Sequence, residues 1–144
     1  MFRNKREPGD GFGQQDIYEV WGDVVADAAD AHERVIAAIR QYLEDSYLAE
    51  HFQCQVAVAR DGRSYLSMQW GDMRAEVDAR PFGEHLDVYG ILATPKGLTA
   101  SPDPAARIAN LNGGQRRDLQ VFQTILKQAM EHVLEALDDG ILLS

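Results

Sequence analysis

Residues 52–93 read FQCQVAVARDGRSYLSMQWGDMRAEVDARPFGEHLDVYGILA. They fall into four short runs of strand character, over 52–59, 63–70, 73–80 and 85–93, separated by residues that favour turns. Side chains alternate between the two faces of a strand, so the turn lengths can be chosen to bring the large apolar side chains to one face. The pattern predicts a four-stranded antiparallel meander in chain order.

The first connection is predicted as a three-residue loop over 60–62, with its glycine in the left-handed conformation. This loop sets Val56 opposite Leu66 and Cys54 opposite Met68. A two-residue turn would instead move the apolar side chains of the second strand to the other face. The buried face therefore decides the register.

The next two connections follow from the same rule. A two-residue turn over 71–72, with glycine first as a type II′ turn requires, sets Leu66 opposite Val77. A four-residue loop over 81–84 sets Val77 opposite Val88. One face then holds every large apolar side chain except three. The exceptions are Tyr65, Tyr89 and Ile91.

The opposite face of this sheet is predicted to be polar. The register places Asp78 opposite both Asp87 and Tyr65 on its two neighbouring strands, and Arg80 opposite His85. Two close carboxylates raise one pKa, as general acid–base pairs do. The alternative is an ordinary solvated face on which Arg80 reaches diagonally to Asp87. The candidate binding residues are Tyr65, Asp78, His85 and Asp87, and no catalytic residue is assigned.

A long N-terminal helix is predicted over 16–46, because apolar residues recur there at spacings of three and four. Such a helix would be about 46 Å long, which exceeds the width of a small domain. We expect it to protrude, to pair with another chain, or to break. The expected break points are residues 22–23 and the capping box at 30–33.

Self-association is predicted from two features. Trp21, Val24 and Ala28 share the apolar stripe of the predicted helix where it outruns the sheet, which makes them the predicted dimer interface. The strand over 52–59 has no Lys and no Pro to discourage pairing at its edge. A second chain or the connection over 94–117 is expected to cover that edge.

The rest of the chain completes a two-layer α+β domain. A short helix is predicted over 103–111 and a long C-terminal helix over 117–138, which Gly140 ends. Residues 1–15 are glycine-rich and polar, and are expected to form a flexible tail. The single domain is then expected over 16–144.

Composition narrows the functional classes. The chain has 144 residues, of which 45% are hydrophobic, and a net charge of −9. The apolar content excludes a disordered chain, and the negative charge argues against a general nucleic-acid binder. No apolar run is long enough to span a membrane, and the basic N-terminus lacks the apolar core of a signal peptide. A single cysteine fits a reducing compartment, so we expect a cytoplasmic protein.

Motifs for chemistry are sparse in this sequence. It contains no nucleophile elbow, no phosphate-binding loop after a strand and no cysteine pair. The four histidines share no metal-ligand spacing, and Cys54 lies on the predicted apolar face, where a thiol is inert. The sequence therefore predicts no cofactor and no metal.

Three segments resemble the type III secretion chaperone superfamily and the related YbjN-like proteins. They are the helix over 33–43, the hairpin at Asp61-Gly62 and the run Arg107-Ile108-Ala109-Asn110-Leu111-Asn112. The order of helix, antiparallel strands, short helix and long helix is similar over about two-thirds of the chain. One departure is that this family has two more strands before its last helix. The resemblance implies a dimeric, non-enzymatic protein that binds another polypeptide.

Three functions remain open from the sequence. The first is a non-enzymatic, homodimeric interaction module of chaperone or adaptor type. The second is a small enzyme or small-ligand-binding protein that uses the polar face of the sheet. The third is an acidic inhibitor that mimics the charge of nucleic acid, and it depends on net charge alone.

Overall fold

A computed structural model describes residues 7–8, 15–95 and 113–140, and gives an α+β architecture of two layers. The four predicted strands form, and a fifth strand from the N-terminal region joins them. The elements are β1 (Gln15–Val25), α1 (His32–Asp45), β2 (Gln53–Val58), β3 (Ser64–Trp70), β4 (Met73–Phe82), β5 (His85–Pro95) and α2 (Gly113–Asp138), with short 3-10 turns at Ala29–Ala31 and Ala49–His51. The sheet is antiparallel, in the order β1-β5-β4-β3-β2.

The first two hairpins have the predicted register. Val56 pairs with Leu66 across the first hairpin, and Leu66 pairs with Val77 across the second. The glycines at 62 and 71 both have positive φ, at 89° and 58°. These glycines therefore fix the turns, and the turns fix which side chains face the core.

The predicted register of the third hairpin is wrong by two residues. Val77 pairs with Gly90 rather than with Val88, because the turn holds two residues, Gly83-Glu84, instead of four. Gly83 has φ of 62°, which suits a two-residue hairpin turn. A shift of two residues leaves every side chain on its predicted face, so facing alone could not detect the error.

The first half of the predicted N-terminal helix is also wrong. Residues 15–25 form β1, which pairs with β5 and places Trp21 and Val25 towards the helices, with Val20 and Val24 on the opposite face. The pairing shifts between Ile17 and Glu19, which marks a bulge. That extra residue breaks the alternation of polar and apolar side chains that identifies a strand. The helix itself begins at His32, close to the second predicted break point, without a side-chain cap.

Two glycines allow β1 and β5 to interlock. Trp21 pairs with Gly90, and a β-carbon on Gly90 would lie 2.5 Å from the indole ring. Gly22 pairs with Tyr89, and a β-carbon on Gly22 would lie 2.7 Å from that of Tyr89. Each glycine leaves room for the aromatic side chain opposite it. This cross-strand packing attaches β1 to the sheet.

The core lies between the sheet and the two helices, as predicted for the apolar face. Its fully buried large side chains are Val35, Ile39, Leu43, Leu66, Met68, Val77, Leu86, Val88, Leu92, Phe122, Leu126 and Val133. Val56, predicted for the same face, is 43% exposed because β2 is the edge strand. No helix among the described residues is long and apolar enough to cross a membrane.

The C-terminal helix starts earlier than predicted and ends as predicted. It runs from Gly113, and its end is marked by Gly140, with φ of 69° and its N–H bonded to the carbonyl of Leu137 at 3.1 Å. The predicted short helix over 103–111 lies outside the described residues. So does most of the predicted tail over 1–15.

We expect Gly90→Ala to destabilise the protein by about 1–3 kcal/mol, because the new methyl group overlaps the Trp21 ring. Urea titration followed by tryptophan fluorescence measures the change. Gly113→Ala is the matched control, since a β-carbon there meets nothing within 4 Å. Equal stability of the two variants would contradict the pairing of β1 with β5.

Candidate functional site

The outer face is the surface of the sheet opposite α1 and α2. Asp78 and Arg80 of β4 and Asp87 and Tyr89 of β5 lie on it, because side chains alternate along each strand. The cross-strand partner of Asp78 is Tyr89, and that of Arg80 is Asp87. The predicted carboxylate pair, Asp78 opposite Asp87, is therefore wrong. The two-residue shift of the hairpin gives Asp87 a basic neighbour instead.

Asp78 is the most buried charged side chain of this face, with no exposed surface. Its Oδ2 accepts hydrogen bonds from Nη2 of Arg63 at 2.8 Å and from the hydroxyl of Tyr89 at 3.2 Å. Within the described residues, Oδ1 of Asp78 and Nε of Arg63 are buried without a hydrogen-bond partner. The pair is thus neutralised but incompletely hydrogen-bonded.

The β2–β3 hairpin positions Arg63. Its three-residue loop is closed by two backbone bonds, from the Ala59 N–H to the Arg63 carbonyl at 2.8 Å and from the Gly62 N–H to the Ala59 carbonyl at 3.0 Å. Asp61 in the loop accepts the Arg63 backbone N–H at 3.1 Å and pairs with its guanidinium. The guanidinium is therefore held from both sides, by Asp61 and by Asp78.

Burial dominates the ionisation of this cluster. Desolvation raises the pKa of Asp78 above its ordinary value, although the hydrogen bond and charge of Arg63 act to lower it. Burial, and then the negative charge of Asp78, raise the pKa of Tyr89 as well. Arg63 is therefore the main group that opposes the effect of burial on the pKa of Asp78.

The other candidate residues of the outer face make separate contacts. Asp87 accepts a hydrogen bond from Nε of Arg80 at 2.8 Å, and the Arg80 guanidinium lies 5.2 Å from the centre of the Tyr89 ring.

Nδ1 of His85 accepts the backbone N–H of Asp27 at 3.1 Å. His85 pairs with Phe82 at the hairpin end rather than with Arg80. Tyr65 is buried in β3. The structure therefore unites Asp78 with Tyr89 and Arg63, and places His85 and Asp87 in other contacts.

Arg63 is the residue that the sequence reasoning missed. It lies two positions before Tyr65, and side chains two apart on a strand share a face. Because the register sets Tyr65 opposite Asp78, it also makes Arg63 a diagonal neighbour of Asp78. The predicted register therefore already contained the signal for Arg63.

The predicted dimer residues do not form one surface. Trp21 packs on α2, where its indole N–H donates to Sδ of Met130 at 3.1 Å. Val24 lies on the outer face and is 59% exposed, whereas Ala28 is buried in the core. The predicted helical stripe is absent because Trp21 and Val24 lie in β1 and Ala28 follows its end.

The edge formed by β2 presents backbone groups that no other described strand pairs with. Because Ala59 bonds to Arg63, alternate residues along β2 point their N–H and C=O groups at β3, and those between point away. The outward residues are Cys54, Val56 and Val58. Among the described strands, β3 is the one that pairs with β2. This edge offers three N–H and three C=O groups to another strand.

Cys54 shows little nucleophilic character. The thiol is half-buried, and desolvation raises its pKa to about 11, against the lowering influence of Arg40. Within the described ranges, no three His, Cys, Asp or Glu side chains are grouped closely enough to hold a metal ion.

Comparison with protein-family models and with curated proteins finds no match to this chain. The resemblance to the type III secretion chaperone superfamily therefore stays a prediction.

We expect Arg63→Gln to make stability strongly pH-dependent. Without Arg63 the folded-state pKa of Asp78 rises further above its unfolded value, so stability is kept at acidic pH and lost as pH rises through the folded pKa. The free energy of unfolding of the variant should fall increasingly below that of the natural protein from about pH 4 towards neutrality. The difference should reach about 3 kcal/mol or more. Urea titrations across this range measure it.

Two further variants separate this effect from a general loss of charge. Arg63→Gln/Asp78→Asn should remove the added pH dependence, because no buried carboxylate remains to titrate. Arg80→Gln, which breaks the more exposed pair with Asp87, should cost less than about 1 kcal/mol. A deficit for Arg63→Gln that does not change with pH would contradict the assignment.

Proposed function

We propose that this protein is a non-enzymatic protein-interaction module that acts as a homodimer, formed when β2 pairs with β2 of a second copy. The supporting observation is the edge of β2, whose outward residues are Cys54, Val56 and Val58. Strand addition at a sheet edge is a recurrent mode of protein recognition. In this dimer, the two five-stranded sheets become one sheet of ten strands.

The edge is complementary to itself. In an antiparallel pair centred on Val56, this residue faces its own copy, and Cys54 faces Val58 of the partner subunit. All three outward residues then become hydrogen-bonded pairs, and their six N–H and C=O groups per subunit form six hydrogen bonds. A twofold axis through Val56 relates the copies, as an isologous dimer requires.

Side chains along β2 favour this contact despite the net charge of −9. The strand reads Gln-Cys-Gln-Val-Ala-Val and has no charged residue, so the two paired strands place no like charges opposite each other. Val56 and Val58 are 43% and 42% exposed, and a partner strand would cover them. Dimerisation therefore buries apolar surface while it satisfies the backbone.

The other edge of the sheet is protected against pairing. β1 contains the bulge after Ile17, and the exposed Asp23 lies on it. A bulge twists an edge away from a partner, and a carboxylate repels its own copy in a second chain. The contrast between the two edges supports dimerisation through β2.

The chaperone- or adaptor-like part of the proposal draws on the family resemblance, which implies a polypeptide partner. The contacts of the outer face support a non-enzymatic role, because Asp78 is paired with Arg63 and Asp87 with Arg80. Two neutralised carboxylates do not share a proton as a general acid–base pair does.

A second candidate function is binding of a small polar ligand on the outer face. It is favoured by the buried Oδ1 of Asp78 and the buried Nε of Arg63, each without a partner in the described chain. A thermal-shift screen of small polar compounds tests it. A stabilising compound should lose its effect in Asp78→Asn and keep it in Asp87→Asn. Equal loss in both variants would place the ligand elsewhere.

We expect the natural protein to be a dimer by multi-angle light scattering, and Val56→Lys to be a monomer. A lysine at the twofold axis places two positive charges opposite each other. Val24→Lys is the matched control, since it adds the same charge to the exposed side of the other edge strand. A monomeric natural protein, or a dimer that survives Val56→Lys, would reject this interface.

Disulfide trapping tests the register. In Cys54→Ala/Val56→Cys, the new thiols of the two copies meet across the axis, at the separation of about 5.5 Å between α-carbons of a hydrogen-bonded pair. Mild oxidation should therefore link two chains on a non-reducing gel. Cys54→Ala/Ala57→Cys places the thiol on the outer face and off the axis, so it should link poorly. Equal linking in both variants would contradict the register centred on Val56.

A further inference from the structure

A groove of about 500 Å³ opens between the second half of β1 and the last turns of α2. Trp21 of β1 and Met130 and Leu134 of α2 provide its apolar floor. Met130 and Leu134 belong to the buried core, and the indole of Trp21 is bonded to Met130. The floor is therefore held by the packing of the fold and is formed before any partner binds.

The rim of this groove is acidic. It contains Asp23 of β1 and Glu131, Glu135 and Asp138 of α2, all of which are exposed. Within the part of the chain that the structure describes, none of these four carboxylates makes an ion pair or a hydrogen bond. Some exposed acids elsewhere are paired, as Glu44 is with Arg40 at 2.7 Å.

The three helical carboxylates lie where they destabilise the isolated protein. Glu131 and Glu135 are four residues apart on one face, and like charges at that spacing repel. Glu135 and Asp138 lie in the last turn of α2, at the negative end of its dipole, and that turn has no basic residue. A positively charged partner would relieve both effects.

Among the described residues, Lys127 is the only basic one that lines the groove, and it already has a partner. Its Nζ lies 2.8 Å from Oε2 of Glu19 and 5.5 Å from the centre of the Trp21 ring. It neutralises Glu19, which is not part of the rim, and leaves the rim carboxylates uncompensated. The groove therefore keeps a negative charge around an apolar floor.

We propose that this groove binds a basic segment of another protein, with an apolar side chain on Trp21 and Lys or Arg side chains on the acidic rim. The proposal rests on the role of interaction module and names the chemistry of its partner. Nucleic acid has the wrong sign of charge for this rim. Paired aromatic and charged contacts are the usual basis of recognition in such grooves.

Fluorescence anisotropy with a short fluorescein-labelled peptide of Leu and Lys tests the proposal, alongside the same peptide with Glu in place of Lys. We expect saturable binding of the Lys peptide that weakens with added salt. Glu131→Gln/Glu135→Gln should weaken it about fivefold or more, because two ion pairs are lost. Asp30→Asn/Glu84→Gln is the control, since it removes the same charge from exposed positions outside the groove.

The outcomes separate this groove from general attraction to an acidic protein. Equal weakening in the control variant, equal binding of the Glu peptide, or no saturable binding would each overturn the proposal. Val56→Lys tests its independence from the dimer, because β2 and β1 are opposite edges of the sheet. Monomeric Val56→Lys should therefore bind the Lys peptide as the natural protein does. If the natural protein is a monomer that binds the peptide, the dimer alone is rejected, and if it is a dimer that does not bind, the groove alone is rejected.

Discussion

Along each strand, side chains and backbone groups alternate in direction with a period of two residues, and the rest of this structure depends on this constraint. Three glycines with positive φ, at 62, 71 and 83, set the turns and so fix the phase of that alternation. The phase decides which side chains enter the core and which form the outer face. It also decides that Val56, at the edge, points its backbone groups away from β3. The same alternation therefore determines the core, the outer face and the edge that can pair with another strand.

The face on which each side chain lies could be predicted from the sequence. The register, meaning which residues pair across neighbouring strands, could be predicted only in part. The face of each residue over 52–93 was predicted from the need to gather apolar side chains, and a shift of two residues leaves that criterion unchanged. This is why the third hairpin was misplaced while its core residues were not. The error mattered on the outer face, where it turned a salt bridge between Asp87 and Arg80 into a facing pair of carboxylates.

The N-terminal region shows a second limit of periodicity. Trp21, Val24 and Ala28 have helical spacing, yet Trp21 and Val24 lie in a strand and Ala28 follows its end. The bulge earlier in this strand disrupts the alternation that would identify it. What selects the strand is a long-range contact: the indole of Trp21 fits over Gly90 and bonds to Met130. Neither partner is near in sequence, so local patterns could not predict it. The acidic groove was missed for the same reason, since β1 and α2 build it together.

The two proposed surfaces lie at opposite edges of the sheet, and this separation has a consequence for binding. The order β1-β5-β4-β3-β2 puts the groove beside β1 and the dimer contact at β2. In a ten-stranded dimer the two β1 strands are nine strand spacings apart, or about 40 Å. Because both grooves then lie at the outer ends, neither is blocked by the dimer contact. A partner with two basic segments could occupy both only if about 12 or more extended residues join them. Such a partner would gain avidity from the dimer, whereas a partner with one segment would bind either groove independently.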